Sequence, residues 1–138
     1  MPSPLIEVSA GLVFRAGRLL ITQRPPGTHL AGLWEFPGGK REAGESWEAC
    51  LERELAEELG VGVAVGRVFD EIVHDYPGKR VQLRFFVSRL TKGEPAPLGC
   101  AAVAWVTAEE LAHYEFPAAD AHLLAALPAA PEFLEKRF

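Results

Sequence analysis

The sequence predicts an α/β fold of the α+β type, in which helices cover both faces of a central mixed sheet. Apolar, β-prone segments lie on both sides of one long helical segment, and shorter helical segments follow near the end of the chain. The chain has 138 residues, of which 49% are hydrophobic and 24% are charged. Because this length and balance are typical of one globular unit, we expect a single domain over residues 1–138.

The first half of the chain predicts a hairpin, a loop and the long helix. Residues 5–14 and 18–23 are β-prone, and Ala16-Gly17 between them predicts a turn. Residues 25–31 (PPGTHLA) predict a loop, and residues 33–37 an extended stretch that ends at a Gly-Gly pair. Ser46 is a favourable N-cap and Gly60 a favourable left-handed stop, so we expect a helix over residues 47–59.

The second half predicts another hairpin and then short helices. Residues 61–76 and 80–90 are β-rich and flank Pro77-Gly78, and residues 101–106 predict a further strand after a loop. Thr107 and Glu110 have the spacing of a capping box for a short helix. Pro117 suits the first turn of a last helix that would run to about residue 127, and the tail after Pro128 shows no clear pattern.

Charge and cysteine usage limit the classes of partner. A net charge of -5 argues against stable nucleic-acid binding, which needs clustered Lys and Arg, and favours a phosphate partner that arrives with a metal ion. The two cysteines do not form a C-x-x-C pair, so we expect neither a disulfide framework nor a zinc site, and a cytoplasmic location. No apolar run is long enough for a membrane span, and no pattern indicates an oligomeric state.

The predicted helix carries an unusual number of carboxylates. Three of them, Glu54, Glu57 and Glu58, are spaced i, i+3, i+4 and therefore share an arc of about 100°. Each like-charged pair costs roughly 0.2–0.5 kcal/mol in an isolated helix, and anions in the last turn oppose the helix dipole. The simple interpretation is a solvated acidic face supported by an Arg53–Glu57 ion pair. The alternative is an oxygen-ligand site for Mg²⁺, with Mn²⁺ as a possible substitute.

The surrounding residues favour the metal site. Residues 38–61 read GGKREAGESWEACLERELAEELGV, and the spacing of Gly39, Glu45, Arg53-Glu54, Glu57-Glu58 and Gly60 matches the fixed positions of the Nudix box. The segment therefore resembles that of Nudix hydrolases, which use Mg²⁺ to hydrolyse nucleoside diphosphates linked to another group. The resemblance implies a Nudix-type α/β/α sandwich.

The resemblance also assigns roles within the box. It implies that Glu54, Glu57 and Glu58 are catalytic metal ligands and that the carbonyl of Gly38 is a further ligand. Arg53, counted with the catalytic group, would organise Glu54 or Glu45. The residues with structural roles in the box would be Gly39, Glu45 and Gly60.

Similarity extends beyond the box. The stretch ITQRPPGTHLAGLWEFPGGK and the later EFPAAD are similar to MutT-type pyrophosphohydrolases, which cleave standard or oxidised nucleoside triphosphates to a monophosphate and pyrophosphate, a reaction of nucleotide-pool sanitation and DNA repair. The implied substrate-binding residues are Arg24, His29, Glu35, Phe36, Pro37, Gly38, Lys40 and Asp120. Simpler roles remain open: Arg24 and His29 as solvated side chains, Lys40 as a partner of Glu42, and Trp34 or Phe36 as core.

Two positions depart from the MutT-type pattern. Gly99 stands in the loop where an acidic residue is often found, which leaves Glu57 or Glu54 as candidates for the general base and Glu94 as a poor one. Asp120 stands where the 8-oxo-dGTP-cleaving prototype has Asn. Because a carboxylate only accepts hydrogen bonds, Asp120 favours a base edge with amino or imino donors, as in CTP-pyrophosphohydrolase-like relatives. A helix-start carboxylate is the simpler role for Asp120.

Two other functions remain open from the sequence. The chain could hydrolyse a different nucleoside-diphosphate substrate, such as ADP-ribose, a nucleotide sugar or a dinucleoside polyphosphate, although it has no obvious insertion to bind a second substrate half. It could also be a regulator that binds nucleotides without cleaving them, an alternative that Gly99 favours and the three glutamates oppose.

Overall fold

The computed structural model describes residues 4–135, which form seven strands, two α-helices and four short 3₁₀ helices. The strands are β1 (Leu5–Arg15), β2 (Arg18–Gln23), β3 (Trp34–Glu35), β4 (Gly38–Lys40), β5 (Gly62–Tyr76), β6 (Lys79–Lys92) and β7 (Ala102–Val106). The α-helices are α1 (Trp47–Leu59) and α2 (Ala121–Ala126), and the 3₁₀ helices are Glu110–His113, Ala118–Asp120, Leu127–Ala129 and Pro131–Leu134. The two predicted hairpins and the long helix are confirmed.

The sheet is built around β1. Its first half pairs antiparallel with β4, its second half pairs antiparallel with β2, and its other edge pairs parallel with β6. The strand order is β3-β2-β1-β6-β5, with β7 added on β2. The parallel β1–β6 pair within an otherwise antiparallel arrangement confirms the predicted mixed sheet.

Two apolar clusters cover the two faces of the sheet. On one face α1 buries Leu51, Leu55 and Leu59 against Phe86 of β6. On the other face Phe85 packs with a set from the end of the chain that comprises Leu123, Leu127, Ala130 and Phe133. Adjacent strand residues point to opposite faces, so Phe85 and Phe86 contribute to different clusters. The prediction of helices on both faces is confirmed.

The ends of α1 follow their sequence signals. The Ser46 hydroxyl accepts a hydrogen bond from the backbone N–H of Ala49 at 3.0 Å, which satisfies one of the free donors of the first turn. Gly60 has φ 71°, a left-handed conformation that glycine adopts at low cost, and its N–H donates to the Ala56 carbonyl. These two caps fix the carboxylates of α1 in register with the strands.

The structure corrects several details of the prediction. The predicted extended stretch over residues 33–37 contains only the two-residue β3, and the Gly-Gly pair after it begins a separate strand, β4. The predicted last helix is divided: Pro117 is extended at ψ 148°, and Asp120, with φ -89° and ψ 1°, separates a 3₁₀ turn from α2. The capping box of Thr107 and Glu110 is present, with the Thr107 N–H donating to the Glu110 carboxylate at 2.9 Å, but it caps only a 3₁₀ turn.

The sequence after Pro128 showed no pattern, but its described part, residues 129–135, contributes to the core. Phe133 is buried and meets the ring of Phe14 edge-on at 5.1 Å between centroids. Within residues 4–135, no helix is long and apolar enough to cross a membrane.

Candidate active site

Arg53 binds the carboxylates of the box to one another. Its guanidinium donates to both oxygens of Glu45 at 2.7 and 2.9 Å, to Glu54 at 2.9 Å and to Glu57 at 3.4 Å. It also donates to the carbonyl of Lys40 at 3.1 Å, which ties α1 to β4. The arginine thus lies between Glu45 and the two predicted ligands Glu54 and Glu57, in the position expected of an organiser.

Glycine is required at two positions of β4, because α1 lies too close to Gly39, and β1 too close to Gly38, for a Cβ atom. A Cβ atom on Gly39 would lie 2.2 Å from the Glu54 carboxyl carbon, and one on Gly38 would lie 1.9 Å from the Ser9 carbonyl. Real Cβ atoms essentially never approach so closely. The Glu54 carboxylate therefore lies directly on the backbone of Gly39.

The register of β4 directs Gly38 towards the carboxylates. The Gly11 N–H donates to the Pro37 carbonyl and the Arg41 N–H to the Glu7 carbonyl, so the hydrogen-bonded pairs alternate and Gly38 belongs to a pair that is not bonded to β1. Both backbone polar groups of Gly38 then point away from β1. Its N–H stabilises the charged form of Glu58. The predicted ligand carbonyl of Gly38 has the same direction.

Glu58 lies among other carboxylates. Burial, together with the negative charges of Glu35 and Glu54, raises the pKa of Glu58 to about 7. Burial also raises the pKa of Glu35, although the nearby Arg24 opposes this shift. The repulsion expected from the sequence therefore extends beyond α1 to Glu35, a carboxylate that the spacing within the helix could not indicate.

The donor set fits a hard divalent cation. Carboxylate and carbonyl oxygens are the ligands of Mg²⁺, and a cation would relieve the repulsion among Glu35, Glu54 and Glu58. Within residues 4–135, however, no three acidic, His or Cys side chains are already gathered as a ligand set. Glu54 and Glu57 each direct one oxygen to Arg53, which leaves the second oxygen of each carboxylate for a cation.

A cavity of about 480 Å³ opens on the other side of β4. It is lined by seven of the eight residues predicted to bind substrate, namely Arg24, His29, Glu35, Phe36, Gly38, Lys40 and Asp120. Its floor is apolar and comes from alternate residues of β1 and β6, among them Ile6, Val8, Val81 and Leu83. A flat apolar floor with polar groups at its rim is typical of a pocket for an aromatic ligand.

Pro37 is the predicted residue that does not line this cavity. It is buried, and its carbonyl accepts the Gly11 N–H at 2.7 Å. Phe36 serves the core as well as the cavity: it is only 5% exposed and stacks on Phe116 at 5.1 Å between centroids. Trp34 is half-buried and packs against Tyr114.

Arg24 and the loop of residues 25–32 form one wall of the cavity. The Arg24 guanidinium donates to the Glu35 carboxylate at 3.2 Å and to the His29 carbonyl at 2.6 Å. Arg24 is therefore not a freely solvated side chain. The contact positions both the loop and Glu35, a carboxylate that would otherwise face Glu58 without a nearby cation.

Asp120 lies at the base of the cavity. Its side chain is buried, and burial together with the charge of Glu35 raises its pKa to about 6. Asp120 starts α2, but it makes no side-chain cap hydrogen bond there. Asp120 therefore stands at a helix start, as its simpler role requires, but without a capping hydrogen bond, and it also lines the cavity.

Tyr76 and Lys79 also line the cavity, although nothing in the sequence indicated a role for them there. The Tyr76 ring meets His29 edge-on at 6.0 Å and His74 at 4.5 Å, and the Lys79 ammonium lies 5.4 Å from its centre. Both residues flank the Pro77-Gly78 turn. The sequence predicted the hairpin turn beside these two residues. It did not indicate that the turn would lie against the loop of residues 25–32.

Gly99 lies against Glu58. Its N–H donates to the Glu58 carbonyl at 3.0 Å, and a Cβ atom at this position would lie 3.4 Å from the Cα of Glu58. The N–H groups of Ala96 and Leu98 donate to the last carbonyls of α1 in the same way. The poor candidate Glu94 is instead paired with Arg15 at 2.7 Å.

Comparison with known proteins identifies the family. Residues 9–126 match the family described as the NUDIX domain. The CTP pyrophosphohydrolase of Escherichia coli (strain K12) is 37% identical over 125 residues, covering 91% of this chain and 93% of the relative. A putative 8-oxo-dGTP diphosphatase 2 of Mycobacterium tuberculosis is 43% identical over 114 residues, covering 82% and 81%.

A solved structure agrees with these relatives. A MutT structure, from work on the Aliivibrio salmonicida and Vibrio cholerae proteins, has a TM-score of 0.76 and 32% identity, and covers 91% of this chain and 97% of its own. The predicted Nudix-type sandwich and the resemblance to MutT-type proteins are confirmed. The chain belongs to the Nudix hydrolase family.

Proposed function

We propose that this chain hydrolyses nucleoside triphosphates to a monophosphate and pyrophosphate, with Mg²⁺ or Mn²⁺ as the cofactor. One observation carries the proposal: Gly38 and Gly39 of β4 border both the apolar cavity and the carboxylates of α1. A nucleotide whose base lies in the cavity would therefore extend its phosphates towards Glu54 and Glu58. The names of the relatives, a CTP pyrophosphohydrolase and an 8-oxo-dGTP diphosphatase, support the same reaction.

The metal would be held by Glu54, Glu57, Glu58 and the carbonyl of Gly38. When bound there, a divalent cation neutralises phosphate charge and acidifies an attacking water. Arg53 would hold Glu54 and Glu57 in place, since it already donates to both carboxylates. In our proposal Arg53 is a positioning residue that touches neither the substrate nor the water.

Lys40 and Arg24 would serve the phosphate end. Lys40 is exposed at the end of β4, next to the glycines that separate the cavity from the carboxylates. Its ammonium is free to approach the phosphates as a point charge. Arg24 would mainly keep Glu35 and the loop at residues 25–32 in position through its two hydrogen bonds.

Glu57 is the residue we propose to accept the proton of the attacking water. Its side chain is 62% exposed, and its hydrogen bond to Arg53, at 3.4 Å, is the longest that the arginine makes to a carboxylate of α1. A general base must reach water, and Glu57 is the exposed one of the three glutamates, since Glu54 and Glu58 are half-buried. Glu94, by contrast, is bound to Arg15 through both of its carboxylate oxygens.

The base preference would be for cytosine or a modified pyrimidine. Asp120 and Glu35 both line the cavity, and an ionised carboxylate can only accept hydrogen bonds. The N4 amine of cytosine supplies donors to such an acceptor, as does the N1–H and N2 amine edge of guanine. We therefore expect CTP, a 5-modified dCTP and 8-oxo-dGTP to be cleaved with different efficiencies, with the cytosine nucleotides first.

The proposal is tested with a panel of nucleotides in the presence of Mg²⁺. We expect wild-type protein to release a monophosphate and pyrophosphate, and the Glu57→Gln variant to lose at least two orders of magnitude in kcat with an unchanged circular dichroism spectrum. Glu52→Gln is the matched control, because Glu52 lies on the exposed part of the same helix. If no nucleoside triphosphate yields these products, the proposal is wrong.

The same panel separates the two alternatives. A sugar phosphate released from ADP-ribose or a nucleotide sugar would identify a different nucleoside-diphosphate substrate. A nucleotide regulator would bind without turnover, and Glu57→Gln would leave its affinity unchanged.

A further inference from the structure

An irregularity in β5 places two charged residues on the same face of the sheet. Val68 pairs with Phe86, whereas Asp70 pairs with Phe85, so β5 has one more residue than β6 between these pairs. Directly paired residues share a face, and one extra residue reverses the alternation. Arg67, next to Val68, therefore lies on the same face as Asp70, although the two are three residues apart.

That face is covered by the C-terminal segment, which we define as residues 117–135. The Arg67 guanidinium donates to both oxygens of Glu132, at 2.9 and 3.1 Å. The Asp70 carboxylate lies 3.3 Å from Nδ1 of His122. A third pair joins Arg89 of β6 to Glu135. Two arginine–glutamate ion pairs and one histidine–carboxylate contact thus connect strands β5 and β6 with this segment.

The segment needs such connections because it is built from weak elements. Asp120 ends a three-residue 3₁₀ turn and precedes the six-residue α2, and neither element has a side-chain cap. Helices this short are not stable alone and depend on packing. Leu123 and Leu127 supply apolar contacts, but a contact of this kind does not fix the rotation of the segment about its own axis.

The Arg67–Glu132 pair is the connection with the strongest expected effect. The Glu132 side chain is only 10% exposed, whereas Arg67 is 51% exposed. A buried carboxylate that loses its partner is costly, so the pair constrains where Glu132 can lie. Glu132 adjoins Phe133, which packs on Phe14 in the same cluster as Leu123 and Leu127. The position of Glu132 is thereby linked to that of Asp120.

We propose that Arg67 and Glu132 are positioning residues that set the place of Asp120 in the cavity, and so govern substrate affinity without touching the substrate. This inference rests on the proposed function for its kinetic part. The bulge in β5 places Arg67 on the face of the sheet that the C-terminal segment covers. The two hydrogen bonds from Arg67 to Glu132 then fix the position of that segment, and with it the position of Asp120. The Asp70–His122 contact acts beside it, nearer to Asp120.

The test uses the full chain and the variants Glu132→Gln and Arg67→Met, alone and combined. Glu132→Gln keeps the shape of the side chain and removes its charge. Arg80→Gln is the matched control, because Arg80 forms an exposed ion pair with Asp75 at 2.9 Å on the same hairpin and contacts no part of the segment. Amide hydrogen exchange of residues 117–126 and the kinetics of CTP hydrolysis are measured for each variant.

We expect each single variant to speed exchange in residues 117–126 at least fivefold. We also expect each to raise KM for CTP about tenfold, with kcat within twofold of wild type. The double variant should be no worse than either single one, because both remove the same interaction. Arg67→Lys, which restores one donor, should recover part of the affinity, and Arg80→Gln should behave as wild type.

Unchanged exchange in Glu132→Gln and Arg67→Met, or a loss in kcat that matches the loss in kcat/KM, would overturn the inference. If Glu132→Gln does not fold, Arg67→Met decides, since Arg67 lies at the surface. Exchange needs no substrate, so an inactive wild type would defeat the proposed function and leave this measurement valid.

Discussion

The carboxylates near β4 fall into two groups with opposite environments. Glu45 is held by Arg53 and by the backbone N–H of Glu42, and these hydrogen bonds lower its pKa to about 2. Glu58 is half-buried and Asp120 is buried, no ion pair to an arginine is formed by either within residues 4–135, and their pKa values are raised to about 7 and about 6. Both groups lie near β4. The difference in their pKa values therefore comes from the partners of each carboxylate and not from its distance to the site.

The carboxylates of the first group stabilise the fold, whereas those of the second group are the ones that we propose to bind a ligand. Glu45 already has its cation, and its charge is used to hold Arg53. The interactions that Glu58 and Asp120 make within the protein do not offset their burial, so a cation or a hydrogen-bond donor from a ligand would stabilise their charged forms. Buried groups with perturbed pKa values in a cleft are typical of functional sites.

The largest effect should come from Glu58→Gln. A ligand that stabilises developing charge by about 4 kcal/mol is worth about a thousandfold in rate, and we expect kcat to fall by that factor. In EDTA the free energy of unfolding should not fall, and should rise by about 1 kcal/mol, because a buried carboxylate beside Glu54 is neutralised. Steady-state kinetics and urea denaturation measure the two quantities.

Glu52→Gln, on the exposed part of α1, serves as the control and should change neither quantity. A Glu58→Gln variant that keeps wild-type activity would remove Glu58 from the ligand set. One that loses stability in EDTA would show that Glu58 belongs with Glu45, among the carboxylates that already have a partner.

Glu45→Gln should have the reverse balance. It removes the strongest partner of Arg53, so the guanidinium is no longer fixed and Glu54 and Glu57 are less well placed. We expect a loss of about 10- to 100-fold in activity, as for residues that orient metal ligands, together with a lower melting temperature in EDTA. A variant as stable as wild type would place Glu45 outside the structural group.

The features that the sequence predicted correctly are formed by residues that lie close together in the chain. The i, i+3, i+4 spacing on α1 and the caps at Ser46 and Gly60 are local, so the helix, its bounds and its three carboxylates followed directly. The sequence also suggested that Arg53 organises Glu45 or Glu54, and the guanidinium contacts both. These contacts span at most eight residues of one loop and helix.

The parts that were missed depend on distant pairing. Tyr76 and Lys79 reach the cavity because β6 pairs parallel to β1, a choice that no local pattern specifies. The packing of Phe133 on Phe14 joins opposite ends of the chain. The repulsion between Glu35 and Glu58 likewise arises only when β3 and α1 come together. Periodicity describes one element at a time, so it cannot give such contacts.

Asp120 gives a prediction for pH. Its pKa is raised from 3.8 to about 6, so between these values the unfolded chain releases a proton that the folded chain keeps, and stability falls as pH rises. Well below pH 3.8 the group is neutral in both states, and well above pH 6 it is charged in both. Asp120→Asn should therefore be more stable than wild type above pH 6, by at most about 3 kcal/mol, and equal to it near pH 3.5.

The same group should control affinity with the opposite sign. Only the ionised form of Asp120 accepts freely from an amine, so kcat/KM for CTP should fall about tenfold per pH unit below pH 6. Asp120→Asn should lower kcat/KM for CTP by about 10- to 100-fold, the usual value of a hydrogen bond to a charged group, and flatten the acid limb. An acid limb that persists in Asp120→Asn would assign it to another group.

The smallest effect concerns Gly99, which lies against Glu58. Gly99→Glu places a fourth carboxylate beside Glu58, where the Cβ atom has room at 3.4 Å and φ is not in the left-handed region. Added repulsion of about 0.5 kcal/mol should lower the melting temperature by about 2 °C in EDTA relative to Gly99→Gln, the matched control. With Mg²⁺ present the difference should vanish, because the cation offsets the new charge. If the two variants have equal melting temperatures in EDTA, a carboxylate at position 99 does not interact with that of Glu58. Position 99 then cannot hold the loop acid that the MutT-type pattern implies.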